Sequence, residues 1–249
     1  MLLAIDVGNT QILLALYDGE TFGEHWRLAT NAERTSDEYA VLVRQFIGEA
    51  KIDGVAISSV VPRATAALRS MVTRYFDVEP VVVEPGTKTG MPILIDNPRE
   101  VGADRIVNAI GAYDLYGGPS VVVDFGTATT LDAVSEKGEY LGGVILPGIE
   151  ISMDALFARA DRLSRVELIE PRSVIGKSTA EALQSGAIYG FAGQVDALVR
   201  RIEDELGECT VLATGGLASQ IGRFSESIEH HEPWLTMHGL RIVYERNAK

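Results

Sequence analysis

Apolar and polar positions along the chain fall into two similar blocks. One reads LLAIDVGNTQILLALYDGE from Leu2, the other VVVDFGTATTLDAVSEKGE from Val121. Each holds an apolar run, an Asp-X-Gly step, a turn rich in amide or hydroxyl side chains, a second apolar run and a Gly-containing turn. The aspartates, Asp6 and Asp124, stand 118 residues apart (124 − 6). The pattern predicts strand, tight turn and strand, with glycine where the backbone bends or approaches a ligand. A third strand is expected after each block, HWRLAT from His25 and YLGGVIL from Tyr140.

The period then becomes helical. DEYAVLVRQFIGEA, from Asp37, has apolar positions at helical spacing, and Thr35 with Glu38 reads as a capping box. GVAISSVVP is expected as a buried strand, RATAALRSMVTRYF as a helix and VEPVVVEPG as another strand. In the second half, the run from Ser178 to Gly207 is helical by pattern and TVLATGG follows as a strand. Strands alternating with helices indicate an α/β fold. Two similar halves divide near Gly117-Gly118-Pro119, so the expected domains are residues 1–118 and 119–249. Halves facing one another would bring both Asp-X-Gly turns to one cleft.

Charge narrows the partners. The formal net charge of −13 opposes a phosphate backbone, so nucleic acid is not expected as a partner. An anionic substrate must instead be received by local donors or by a cation. A single cysteine, Cys209, excludes an intrachain disulfide and a cysteine zinc cluster, and the four histidines show no metal-ligand spacing. No apolar run has the length of a membrane span and no leader pattern precedes MLLAID, so a soluble cytoplasmic protein without a membrane partner is expected.

The chemistry concentrates in a few stretches. In DVGNT (Asp6 to Thr10) and DFGT (Asp124 to Thr127), Gly8 and Gly126 are expected to let backbone N–H groups reach phosphate oxygens. Asn9, Thr10, Thr127, Thr129 and Thr130 offer neutral donors. Either turn alone is equally an ordinary hairpin turn; their recurrence points to a shared site. A carboxylate beside phosphate is repulsive unless a cation or its waters bridge the two. Magnesium takes one or two carboxylates plus phosphates and waters, a role that suits Asp6 and Asp124. No lysine-bearing GxxxxGK[ST] loop occurs.

In VGADRIVNAIGAY, Asp104 falls in or just before the first turn of a helix. It suits that helix N-terminus electrostatically, and equally a carboxylate there can accept the proton of an attacking hydroxyl. Ser178 and Thr179 in GKSTAEALQSG read as helix N-caps, or as hydroxyls that reach a ligand. Gly186, Gly190 and Gly193 are spaced for close helix packing, across a dimer interface or within the chain. ATGGLAS, from Ala213, is either a bare loop or a flat surface for a nucleotide base or ribose.

With these pieces in order, the chain resembles the type III pantothenate kinases of the actin-like ATPase and sugar kinase superfamily. The resemblance rests on DVGNT, ISSVVP, NPREVGADRIVNA, VVVDFGTATT, YLGGVILPGI, LQSGAIYG and ATGGLA, in that order. It implies two ribonuclease H-like domains with a nucleotide cleft between them, and phosphorylation of pantothenate by ATP, the first step of coenzyme A synthesis. It also implies a homodimer, a monovalent cation (K⁺ or NH₄⁺) and Mg²⁺ with ATP.

Carried over by position, Asp104 is the proton acceptor, and Gly102, Ala103, Asp104, Arg105 and Thr179 contact pantothenate. Asp6, Val7, Gly8, Asn9, Thr10, Gln11, Ile12 and Leu13 form the first ATP-phosphate loop, with Asp6 on magnesium through water. Thr127 contacts ATP and Asp124 holds the monovalent cation. Three positions depart from the family pattern. Gln11-Ile12 stands where a second Asn-Thr is usual, Leu131 where phenylalanine is frequent, and Ile95 where a substrate-contacting tyrosine is common. Ile95 removes a hydroxyl from the substrate pocket, which keeps a kinase for another small alcohol in view. A non-catalytic nucleotide-binding regulator is the reading from a different class.

Overall fold

The computed structural model describes residues 1–160 and 162–248. The first block folds as a meander of β1 (Leu2–Val7), β2 (Gln11–Asp18) and β3 (Thr21–Ala29). Alternation sends Leu3, Ile5, Val7, Ile12, Leu14 and Leu16 into one core and leaves Asp6 on the other face. α1 (Ser36–Ile47) and α2 (Pro62–Phe76) cover that core with Tyr39, Val43, Leu68, Met71 and Val72, and β4 (Gly54–Ser59) lies between them in sequence. The capping box forms as the sequence predicts. Glu38 N–H donates to the Thr35 hydroxyl at 3.3 Å and Thr35 N–H to the Glu38 carboxylate at 2.7 Å. Such a cap contributes about 1 kcal/mol.

VEPVVVEPG contributes less strand than its pattern predicts. Only β5 (Val81–Val82) joins the ladder, at the sheet edge. Beyond it the Thr87 hydroxyl donates to Val82 O at 2.7 Å and accepts from Glu84 N–H at 3.1 Å, so a side-chain turn replaces the ladder. A long irregular approach then leads to α3 (Ala103–Tyr116).

The second block repeats the plan. It has β6 (Ser120–Phe125), β7 (Ala128–Val134), β8 (Tyr140–Pro147), α4 (Ile149–Arg159), α5 (Thr179–Leu206) and β9 (Thr210–Thr214). The four-residue α6 (Ala218–Ile221), β10 (His230–His231) and α7 (Leu235–Asn247) complete the chain. The sheet orders are β3-β2-β1-β4-β5 and β8-β7-β6-β9-β10. In both, the first three strands are antiparallel and the last two join in parallel. The duplication read from two hairpins thus extends to the order and sense of every strand. No helix among the described residues is long and apolar enough to cross a membrane.

The division into units differs from the one expected at residues 118 and 119. One compact unit is Met1–Gly111 together with the chain from Leu235 on, and the other is Ala112–Trp234. α3 therefore crosses the division, and α7 returns to the first unit, packing on β1, β4 and β5. The physical reason is backbone contact between α7 and α3. A Cβ on Gly239 would stand 2.0 Å from Val107 O, and one on Gly111 would stand 2.9 Å from Leu235 O. Thr236 also donates to the buried Asn108 amide oxygen at 2.7 Å. Tyr244 lies where a Cβ on Gly54 of β4 would be.

These glycines make the crossing steric rather than adjustable. Gly239→Ala is expected to lower stability by about 1–3 kcal/mol, the usual cost of forcing atoms into a packed core, read as an earlier thermal and urea midpoint. An unchanged midpoint would mean that α7 does not rest on Val107.

Candidate active site

In the first unit the DVGNT turn joins β1 to β2 and is pinned from β3. Gly8 N–H donates to Gln11 O at 2.9 Å, the Thr30 hydroxyl donates to Gly8 O at 2.7 Å, and Thr30 N–H donates to Thr10 O at 2.9 Å. Gly8 N–H is therefore spent inside the hairpin rather than turned outward to phosphate, as the sequence suggested. Asn9, Thr10 and Gln11 are exposed at the tip, whereas the side chains of Val7 and Ile12 lie in the core. Those two residues have only backbone to offer a ligand. Leu13 pairs with Asp6 across β1 and β2, and Ser58 pairs with Asp6 from β4. Ser58 is fully buried, and its hydroxyl has no hydrogen-bond partner among the described residues.

Asp104 is the second residue of α3, in the same unit. Its Oδ1 accepts from Arg105 N–H at 2.9 Å. Burial pushes its carboxyl above the ordinary range, opposed by the hydrogen bond from Arg105 N–H and by the Arg105 charge. Val60 connects this turn to the first hairpin. Its N–H donates to Val7 O at 3.1 Å, and its Cγ1 would lie 3.5 Å from a Cβ on Gly102. The structure thus brings Asp6–Leu13 and Gly102–Arg105 onto neighbouring segments of one unit.

The chain end anchors the approach to Asp104. The Asn247 amide accepts from Lys88 N–H at 3.2 Å and donates to Lys88 O at 2.9 Å. Arg246 occupies the space of a Cβ on Gly90, which has φ +73°. Further along, Ile95 is half-buried, and Asn97 caps the short 3₁₀ turn Pro98–Glu100 by accepting from Arg99 N–H at 3.3 Å.

In the second unit the DFGT turn joins β6 to β7. Residues 126–128 separate the pair Phe125 and Thr129, whereas residues 8–11 separate Val7 and Ile12, so this turn is one residue shorter. The difference changes what faces each acid. Asp6 pairs with Leu13, but Asp124 pairs with Thr130 on one side and Thr214 on the other. Thr130 donates to Asp132 Oδ2 at 3.1 Å, and Tyr140 OH donates to Asp132 Oδ1 at 2.6 Å. Gly126 N–H bonds Ala128 O at 3.0 Å, so this glycine N–H also stays within its hairpin.

Two loops hold the second turn. Gly148 N–H donates to Thr127 O at 3.1 Å, and Leu217 N–H to Phe125 O at 3.2 Å. A Cβ on Gly148 would stand 2.2 Å from Thr127 O. Gly215 has φ +93°, and a Cβ there would stand 2.3 Å from Asp124 Oδ1. In ATGGLAS, then, the first glycine of the pair serves the Asp124 carboxylate, and only Gly216 faces open space. Sequence reading missed Ser58, Val60, Gly148 and Asn247. Val60 and Gly148 were visible within ISSVVP and VILPGI, but nothing local tied either to an acid turn.

Thr179 stands on a separate element, the exposed first turn of α5. Ser178, not Thr179, caps that helix, accepting from Glu181 N–H at 3.2 Å. Gly186, Gly190 and Gly193 are exposed, and among the described residues nothing beyond their own helix backbone lies within 4 Å of a Cβ built on any of them. The close helix packing their spacing suggests is therefore not made among the described residues. Cys209 is buried, and burial pushes its thiol up, as expected of an inert core residue.

Comparison with known proteins places this arrangement. A family profile described as type III pantothenate kinase matches residues 2–201. A type III pantothenate kinase from Frankia alni is 59% identical over 99% of this chain and 100% of that protein. Among solved structures, the activator of the 2-hydroxyisocaproyl-CoA dehydratase from Clostridium difficile with bound ADPNP is 12% identical. It aligns over 98% of this chain and 94% of that one at a TM-score of 0.54. A ROK family glucokinase from Streptomyces griseus in complex with glucose and AMPPNP, 11% identical, aligns over 98% of both chains at a TM-score of 0.52. These likenesses show the fold, that of the actin-like ATPases and sugar kinases. With the profile spanning most of the chain and the Frankia relative spanning nearly all of it, the chain belongs to the type III pantothenate kinase family.

Proposed function

We propose that this chain phosphorylates pantothenate with ATP to give 4′-phosphopantothenate, the first step of coenzyme A biosynthesis, with Asp104 as proton acceptor. The observation that carries the acceptor role is Asp104 itself, a carboxylate in the first turn of α3 whose burial raises its proton affinity. As the substrate oxygen bonds the γ-phosphorus, the bond to the β–γ bridging oxygen breaks. ADP leaves and the hydroxyl proton passes to Asp104. Gly102, Ala103, Arg105, Ile95 and Thr179 are the residues proposed to contact pantothenate, Arg105 balancing negative charge. Asn9, Thr10 and Thr127 are exposed at their turn tips, where their side chains can donate to phosphate oxygens. Catalysis in such a site is mostly positioning and charge neutralisation.

The donor sets suit hard cations, since both acid turns present only oxygen. Asp124 with the hydroxyls of Thr130 and Thr214 in register fits K⁺ or NH₄⁺. Asp6, paired in register with Ser58, whose hydroxyl has no partner among the described residues, fits a water of hydrated Mg²⁺. When bound, these cations neutralise phosphate charge that no P-loop lysine meets here. A homodimer is proposed as well, supported by the exposed Gly186, Gly190 and Gly193 of α5 and by exposed Ile151 and Leu156 of α4.

Three outcomes are expected. Asp104→Asn should reduce turnover by about 10²–10⁴-fold, the usual contribution of a positioned proton acceptor. Because folding raises this carboxyl's pKa, its favourable contribution to stability is full below the unfolded pKa and lost as pH rises through the folded pKa. At neutral pH the amide should therefore melt no lower than the native protein. Near-normal turnover in this variant would remove Asp104 as acceptor. Potassium should raise the native melting temperature above the value in equal sodium, and Asp124→Asn should erase the difference; no native difference would take the cation away from Asp124. Light scattering should give twice the 26.9 kDa chain mass, and a single-chain mass would rule out the dimer.

A further inference from the structure

We infer that Gly102 is a positioning residue for the reaction: the absence of a side chain there sets where the Asp104 carboxylate sits. The inference rests on the proposed role of Asp104. A Cβ built on Gly102 would stand 2.4 Å from Asp104 Oδ1, well inside contact distance. The next atom is Val60 Cγ1, at 3.5 Å, which is ordinary packing. The carboxylate thus fills the volume that any other residue at 102 would claim for its own Cβ.

Backbone conformation gives no other reason for glycine here. Gly102 is not among the residues with positive φ, so an L-residue fits its backbone. Its carbonyl accepts the first helical bond, from Ile106 N–H at 3.3 Å, which places it at the N-cap. Serine or asparagine serves as well or better at an N-cap. What distinguishes Gly102 is contact with the flexible end of one side chain, which can swing away at little cost to the fold. Swinging away moves the acceptor oxygen by about 1 Å, and a displacement of that size can cost about 10²-fold in rate. The same device recurs at Gly215, where the missing Cβ makes room for Asp124 Oδ1. There the left-handed backbone and the close Phe125 main chain tie the glycine to the fold as well, so Gly102 is the cleaner test.

The test is a double-mutant cycle of native protein, Gly102→Ala, Asp104→Asn and the double variant. It is read by steady-state and single-turnover kinetics together with melting temperature. Gly102→Ala should melt like the native protein, keep the KM for ATP, and lose kcat about 100-fold. In the Asp104→Asn background the same substitution should cost nothing further, because no acceptor remains to be displaced. Gly102→Ser, with the same Cβ and a stronger cap, should show the same loss of kcat. Near-native kcat in Gly102→Ala overturns the inference. So does an undiminished loss in the Asp104→Asn background, which would mean that a side chain at 102 slows the reaction independently of where the Asp104 carboxylate sits. So, too, does a lowered melting temperature in both Gly102 variants, which would make it a residue of the fold. Normal turnover in Asp104→Asn alone is a separate result that removes the acceptor role first.

Discussion

The first unit depends on the contact between α7 and α3 at Gly239. There the backbone of the last helix lies against the Val107 carbonyl, with no side chain between them. α7 also packs on β1 and β4, the strands that carry Asp6 and Ser58. One helix therefore ties the sheet bearing one candidate acid to the helix bearing another. Contacts of this kind are stiff, because shifting either element drives backbone into backbone rather than turning a side chain. The same helix end holds Lys88 through Asn247, so the segment leading to Asp104 is fastened by residues nearly 160 positions later.

The two acid turns began as one pattern and became different chemical settings. A turn shorter by one residue shifts the pairing, so Asp124 faces Thr130 where Asp6 faces Leu13. The Thr130 proton is committed to Asp132, which Tyr140 also supports, so the Thr130 oxygen keeps its lone pairs for other partners. Duplicated topology thus supplies two similar strand ends, and single-residue differences in the turn decide which has an oxygen-rich surround. That asymmetry suits the separate cation roles proposed for the two carboxylates.

Glycine has distinct uses at these sites. At Gly148 it lets the strand end after β8 lie on the carbonyl of Thr127. At Gly102 and Gly215 it leaves room for a carboxylate oxygen. On α5 a Cβ on any of the three exposed glycines would meet nothing from another element among the described residues. The sequence shows all of them as the same letter, and only their neighbours separate a close approach from an open face.

Much of the fold was legible because it follows from local periodicity. The paired hairpins, the Thr35–Glu38 cap, α1, α2 and α5 all arise from alternation or helical spacing within a few residues, and the chain alone specifies them. The candidate acids were legible too, since Asp-X-Gly and GADR are local arrangements. α7 was not. Leu235, Met237, Leu240, Ile242 and Val243 are buried on several sides, so no single apolar stripe marks the helix. Nor did anything local say that Val60 bridges two turns, that the Gly8 and Gly126 N–H groups close their own hairpins, or that Asn247 reaches Lys88. By itself the sequence determined the elements, the repeat and the chemical types at the turns, because those depend on neighbours along the chain. Tertiary structure alone decided which unit receives the last helix and what surrounds each carboxylate, because those depend on volumes and hydrogen bonds shared between residues far apart in sequence.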